Sequence, residues 1–472
     1  MADQEIEIKI DPEVIALHEK YKFFQDSYDG GKAYRDGKYL IKHKRESDTN
    51  YNLRLDRASF MNFCAPVIDI NTSYLFREEP TRDLKKASVA AELFLGDADL
   101  EGRPWQKVVR EISKLSGAMG AMGVIVDKPK GKALSRAQEL DLGIRPYVAI
   151  YNPRAILYWE FERIGGIPTL TKLILQEGEG RELLQIVVWT RDEWAIYKKA
   201  EATGGGSNKY VLVESAPNDL GEIPFALHRN RDSFKKMTGI SDIADIADVN
   251  RRIYYLDSDS LEIIENCGFP ILEGSSEALR ATAGEGEDVD IGTESVLDRG
   301  DDGEVGGFKF IEAPHTSLEA ILKWRSQSIE DIKYLAKIGS GEAQSSGVAE
   351  SGAALELRFQ QLNALLSEKA ENCESFENRV FDLIGLWEDE DIDIEITYPR
   401  KFGVRDLAHD LDTALSAQTV VGSRTFSAEL SKSIAERMLP NDTPKETLHQ
   451  IEKELEQGAV LPGSETDGDD EE

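Results

Sequence analysis

Cysteine is scarce in this chain of 472 residues: Cys64, Cys267 and Cys373 lie far apart and share no metal-binding or redox spacing. A disulfide framework is therefore not expected, and a reducing compartment is the natural setting. Long apolar runs are absent as well, so nothing in the sequence reads as a membrane span. The N-terminus is acidic and has no signal-peptide pattern. Bases are outnumbered, 56 Lys and Arg against 88 Asp and Glu, for a net charge of −32. A protein that grips nucleic acid needs a basic footprint, and this balance opposes one. The acid serves either solubility or a surface that sits beside a polyanion without sticking to it. The histidines at 18, 43, 228, 315, 409 and 449 are scattered and read as surface or helix-end residues. No P-loop, His-Glu-x-x-His, Cys-x-x-Cys or Gly-x-Ser-x-Gly occurs. No catalytic site, metal site or cofactor is expected.

What is present is enough apolar mass, 40% of residues, for about three domain-sized units. The first part reads as helices: Asp11 to Asp26, with Asp11 as N-cap and Pro12 at the first position; Arg57 to Phe76, kinked at Pro66; and Trp105 to Ser116. Between the first two lies a basic run, Lys38 to Arg45, either a solvated loop or a contact for an acidic neighbour or phosphate. From Gly123 the period changes to two. Short strands near 124–126, 147–151, 155–159, 170–175, 183–190, 194–198 and 210–213 predict an antiparallel meander.

Two helices follow, from Ile240 to Ile263 and from about Ser317 to Ile338, separated by an acid- and Gly-rich module with strands near 269–273 and 308–311. Such helices should pack antiparallel. A Gly/Ser/Ala loop then leads into the longest periodic segment. Leu355, Phe359, Leu362, Leu366, Ala370, Cys373, Phe376, Val380, Leu383 and Trp387 form one apolar stripe. Residues 391–398 alternate as a strand, 406–438 and 445–456 read as helical, and 464–472 carry six acids and no base.

Several short motifs, in order, resemble those of tailed-bacteriophage portal proteins. Ser351-Gly-Ala-Ala-Leu355 is similar to the Ser-Gly-x-Ala-Leu that follows the tunnel loop in that family. Gly221-Glu-Ile-Pro-Phe225 is similar to its Gly-x-Ile-Pro segment, and Tyr151-Asn-Pro-Arg-Ala-Ile156 to its Asn/Asp-Pro-x-x-Ile segment. Arg57-Ala-Ser-Phe-Met-Asn62 resembles the N-terminal wing helix, although Arg77-Glu-Glu-Pro80 stands where the family often has Gly-x-Pro.

The resemblance implies an α+β subunit: a helical and antiparallel-sheet wing at 1–238, a stem at 239–267 and 315–338, and a small α/β clip at 268–314. It further implies a tunnel loop at 339–351, a long beam helix at 352–388, a wing strand at 389–401, a helical crown at 402–460 and a disordered acidic tail at 461–472. It implies a homo-oligomeric ring of about twelve subunits at one capsid vertex, a head-to-tail connector of the virion assembled in the host cytoplasm. Double-stranded DNA would pass through it without sequence specificity. Terminase, capsid protein and connector or adaptor proteins would dock on it, and no membrane is involved. Tunnel-loop candidates are Ser340, Glu342, Gln344, Ser345, Ser346 and Glu350. Channel-lining candidates are Lys333 and Lys337, one turn apart, and the acidic column Asp242, Asp245 and Asp248. The alternatives are a metal-dependent phage-associated enzyme using acids such as Asp288 and Asp290, or a different head–tail adaptor.

Overall fold

The computed structural model describes residues 5–86, 88–131, 135–177, 185–199, 209–268, 271–274, 296–298, 309–311, 316–337, 352–400, 402, 450 and 453. The chain divides into two compact units, Met1–Phe402 and Gly403–Glu472. The helices expected from Asp406 onward and the acidic tail lie outside the described residues, apart from Gln450 and Lys453, which are helical.

The first unit begins with β1 (Glu5–Glu7), α1 (Pro12–Asp29), α2 (Gly31–Asp36), α3 (Asp48–Arg57) and α4 (Cys64–Leu75). The Asp11 side chain accepts from the Glu13 amide, and Pro12 opens α1, where its missing N–H is no loss. The expected kinked helix over 57–76 is instead a break. α3 ends at Arg57, and α4 starts only at Cys64, where the Asn62 side chain accepts from the amides of Cys64 and Ala65. Pro66 falls in the first turn of α4, where amides need no intrahelical partner, so it bends nothing.

Next come β2 (Thr81–Leu84), α5 (Val89–Gly96), α6 (Trp105–Met119), β3 (Ala121–Asp127), α7 (Arg136–Asp141) and β4 (Tyr147–Tyr151). The meander follows as β5 (Ile156–Ile164), β6 (Ile167–Glu177), β7 (Gln185–Thr190), β8 (Glu193–Lys199) and β9 (Lys209–Pro217). Together with β1 it makes one antiparallel sheet of order β1-β9-β8-β7-β6-β5. Its period of two is visible in the packing. Leu173, Leu175, Val187 and Trp189 enter one core cluster, while the intervening Ile174 and Ile186 enter another on the opposite face. The β5–β6 hairpin turns on Gly165 and Gly166, whose φ angles of 59° and 88° favour glycine. The turns expected at 178–180 and 204–206 lie outside the described residues.

β10 (Phe225–Arg229) joins β3 and β4 in a second sheet. Then α8 (Ile246–Gly268) leads to three short strands, β11 (Ile271–Gly274), β12 (Val296–Asp298) and β13 (Lys309–Ile311). β11 and β13 are the two expected strands and pair antiparallel; β12 pairs parallel on the other side of β11. α9 (Thr316–Leu335), α10 (Gly352–Glu388) and β14 (Ile394–Thr397), which pairs with β2, complete the unit.

α10 has 37 residues and is therefore about 55 Å long. Its stripe is the centre of the main core: Leu366, Ala370, Cys373, Phe376, Val380 and Leu383 are buried against α4, α5, α6 and the β3–β10 sheet. Leu362 and Trp387 pack on that cluster half-buried.

One backbone crossing locks this core to the segment before α8. A Cβ on Gly239 would lie 2.0 Å from the Gly120 carbonyl oxygen, and one on Gly120, whose φ is +95°, 2.4 Å from that of Gly239. Gly120→Ala should therefore lower stability by about 2 kcal/mol, read as a shift in the denaturant midpoint. An unchanged midpoint would show that the crossing relaxes freely.

Candidate functional site

α8 and α9 pack antiparallel. Arg252 reaches Ser328 at 3.0 Å and Asp331 at 3.0 Å, while Asp257, further along α8, meets Arg325, earlier on α9. Lys333 lies in the last turn of α9, paired with Glu330 at 2.6 Å. Lys337 lies beyond the helix with φ at 56°. The two lysines thus sit at one end of the pair but not on one continuous helical face. The candidates Ser340, Glu342, Gln344, Ser345, Ser346 and Glu350 lie outside the described residues, as do Asp288 and Asp290.

The acidic column at 242, 245 and 248 is not formed. α8 begins at Ile246, six residues later than its periodicity suggested. The chain before it is held by tertiary contacts: the Asp242 amide donates to the Gly117 carbonyl, and the Ser241 hydroxyl reaches the Gly117 and Ala118 carbonyls. Asp245 and Asp248 are exposed, Asp248 pairing with Arg251 at 2.7 Å. The Asp242 side chain is only 2% exposed and turns inward, so it cannot line a channel in this chain.

Asp242 instead forms an ion pair with Lys369, which is equally buried on α10. Asn230 donates to one carboxylate oxygen at 2.8 Å, and Asn71 to the other at 3.1 Å. Burial alone would raise the Asp242 carboxyl, but the Lys369 ammonium and the two amides outweigh it and hold it below the ordinary range. One turn further along α10, Cys373 Sγ lies 3.3 Å from Nε2 of His228, a fully buried residue of β10. Burial, with the charge of Lys369 added, drives the imidazole down to about 3, so it is neutral. His228 is thus a core residue, not the surface residue its isolation in the sequence suggested. Burial and the nearby Glu377 push the Cys373 thiol up to about 12, which leaves it a poor nucleophile.

A turn later, Glu377 has no solvent exposure at all. Arg82 of β2 approaches it bidentately at 2.5 and 2.8 Å, the Trp105 indole N–H donates at 2.7 Å, and the Tyr398 hydroxyl donates to the same carboxylate. Lys369, Cys373 and Glu377, four residues apart, therefore make a polar row along a buried helix. Each is tied to a different part of the unit: the entry to α8, β10, and the β2–β14 edge. The arrangement fixes how α10 is rotated and where it slides. It is a mechanical device, with Lys369, Arg82, Trp105 and Tyr398 each directed at a buried carboxylate.

The model of the family described as "Phage portal protein, SPP1 Gp6-like" matches residues 15–460. The chain belongs to this phage portal protein family. No curated protein matches it. Among the solved structures similar to it are two particle necks. One is the neck of a native GTA particle computed with C12 symmetry, with TM-score 0.38 and 11% identity, covering 78% of this chain and 90% of that one. The other is the neck of an empty GTA particle computed with C6 symmetry, with TM-score 0.37 and 11% identity, covering 81% and 89%.

In this portal protein the sequence reading missed the residues that hold the long helix in place. Lys369, Glu377 and His228 gave no local signal, because charged residues make up 31% of the chain and any helix carries several. Their partners are 127, 295 and 145 positions away in sequence. Only the spacing of four along an apolar stripe marks them afterwards. Arg54 was missed for the same reason. It is 2% exposed and joins Glu46, the Ile41 carbonyl and Ser258 of α8. Among the described residues no helix is long and apolar enough to cross a membrane.

Proposed function

We propose that copies of this chain form a ring at one capsid vertex whose bore passes double-stranded DNA during packaging and ejection. Terminase, capsid protein and connector proteins dock on the same ring. The observation that carries this reading is the portal family match over residues 15–460. In this reading α8 and α9 are the stem, β11 to β13 the clip, and the 339–351 segment the tunnel loop. Large apolar side chains stand exposed on the paired helices of the single chain: Trp324 at 60%, Tyr334 at 84%, and Ile264 and Leu322 at about half. Exposure on that scale suits a surface covered by neighbouring subunits. The net charge of −32 suits a conduit, because a wall rich in free bases would exchange counterions with the phosphates and hold the DNA in place. Lys333 has Glu330 beside it, which tempers its pull on a phosphate.

Negative-stain images of the purified chain should show rings with a central hole. Deleting residues 341–349 should leave those rings intact and impair packaging or retention of DNA. Monodisperse monomers at all concentrations and in the presence of capsid protein would overturn the ring. Loss of rings in the deletion variant alone would reassign the loop to assembly.

A further inference from the structure

We propose that His43, Asp259 and Glu262 form a divalent transition-metal site that clamps the loop between α2 and α3 onto α8. Asp259 and Glu262 are three residues apart on α8, so both carboxylates face the same side of the helix. His43 comes from the basic loop that follows α2. One ligand atom from each residue, an imidazole nitrogen and two carboxylate oxygens, lies within 4.8 Å of the other two. His43 Nε2 is 3.3 Å from Asp259 Oδ1. That oxygen is closed off from solvent and receives no well-aligned hydrogen bond, although His43 at 3.3 Å and Arg54 at 3.6 Å both face it, so a cation drawn between the ring and the carboxylate would complete its coordination. The imidazole is already aimed. Its Nδ1 is held by the Tyr255 hydroxyl at 3.1 Å, leaving Nε2 towards the carboxylates, the kind of outer contact that orients a metal-binding histidine.

The charge in this corner also fits a divalent ion. Arg54 lies alongside, with four of its five N–H donors committed to Glu46 at 2.8 Å, the Ile41 carbonyl at 2.8 Å and Ser258. It comes no nearer than 3.6 Å to Asp259 and 3.9 Å to Glu262. Three carboxylates, Glu46, Asp259 and Glu262, stand against the one guanidinium of Arg54. One nitrogen and two oxygens select an ion such as Zn²⁺ or Co²⁺ over Mg²⁺ or Ca²⁺, which take oxygen alone. Bonds of about 2.0–2.1 Å in a tetrahedral site bring ligand atoms to about 3.4 Å apart, with water as the fourth ligand. His43 and Glu262, each about 40% exposed, have room to rotate inward by that amount.

The experiment uses the full chain stripped with a chelator and titrated with Co²⁺. Ligand-field bands should appear with one equivalent, and saturating Zn²⁺ should raise the melting temperature by about 2 °C. His43→Gln, Asp259→Asn and Glu262→Gln should each abolish the bands and weaken Zn²⁺ binding at least tenfold, with far-ultraviolet circular dichroism unchanged. Absent bands in the wild-type chain would overturn the site. So would bands that persist in the folded Glu262→Gln and His43→Gln variants, since the acidic chain would then be holding the ion elsewhere.

Discussion

Lys369→Met should lower the unfolding free energy by about 3–5 kcal/mol, because it leaves the Asp242 carboxylate buried with no cation. Asn71 and Asn230 still donate to that carboxylate, which places the expected loss toward the lower end of the range. The reciprocal change, Asp242→Asn, strands the Lys369 ammonium instead and should cost a similar amount. The double variant Lys369→Met with Asp242→Asn removes both charges and should recover most of the loss, since a neutral pair of similar volume avoids the desolvation of two ions. Denaturant midpoints for the four proteins, taken at one protein concentration so that assembly does not vary, give the coupling energy directly. Additive single losses, or a Lys369→Met loss below about 1 kcal/mol, would show that water already reaches the pair and that it does not fasten α10.

That pair also explains which parts of the fold could be read from the sequence. Elements whose own pattern carries their packing were legible: α1 with its Asp11 cap and Pro12, β4, the meander strands from β5 to β9, the paired helices and α10. Each repeats a period long enough to rise above composition. Elements set by distant partners were not. The start of α8 was displaced because Ser241 and Asp242 are held by α6 and α10, a contact that no window around residue 240 contains. β2 and β10 were passed over because Thr81-Arg-Asp-Leu84 carries a single apolar residue and so shows no apolar alternation, and β10 is covered on both faces. The break at 58–63 looked helical because Phe60 and Phe63 kept the apolar spacing. Phe60 in fact stacks on Tyr34 with ring centroids 3.7 Å apart. Among the site residues, Lys333 lies near the helix end as its position suggested, half-buried beside Glu330, whereas Asp242 turns inward although its neighbours Asp245 and Asp248 share its spacing.

The neutral His228 gives the chain an acid sensitivity that the His228→Leu variant should lose. Its folded-state value is about 3, against 6.5 for the ordinary side chain. Between those values the unfolded chain binds a proton that the folded chain does not. Stability therefore falls as the pH falls through that window and is unaffected by this group above about 6.5. The slope is about 1.4 kcal/mol per pH unit once the unfolded imidazole is fully protonated, or about 2–3 kcal/mol between pH 6.5 and 4.5. Asp242 acts in the same direction but lower down: its folded-state value lies below the ordinary 3.8, so its contribution is lost only as the pH falls beneath that. The two effects separate on the pH axis. A pH series of denaturant midpoints should give curves for wild type and His228→Leu that run parallel above pH 7 and converge between about 6.5 and 4.5, with wild type losing the more. Parallel curves throughout that interval would mean that the imidazole is protonated in the folded core, with Cys373 and Lys369 unable to exclude the charge.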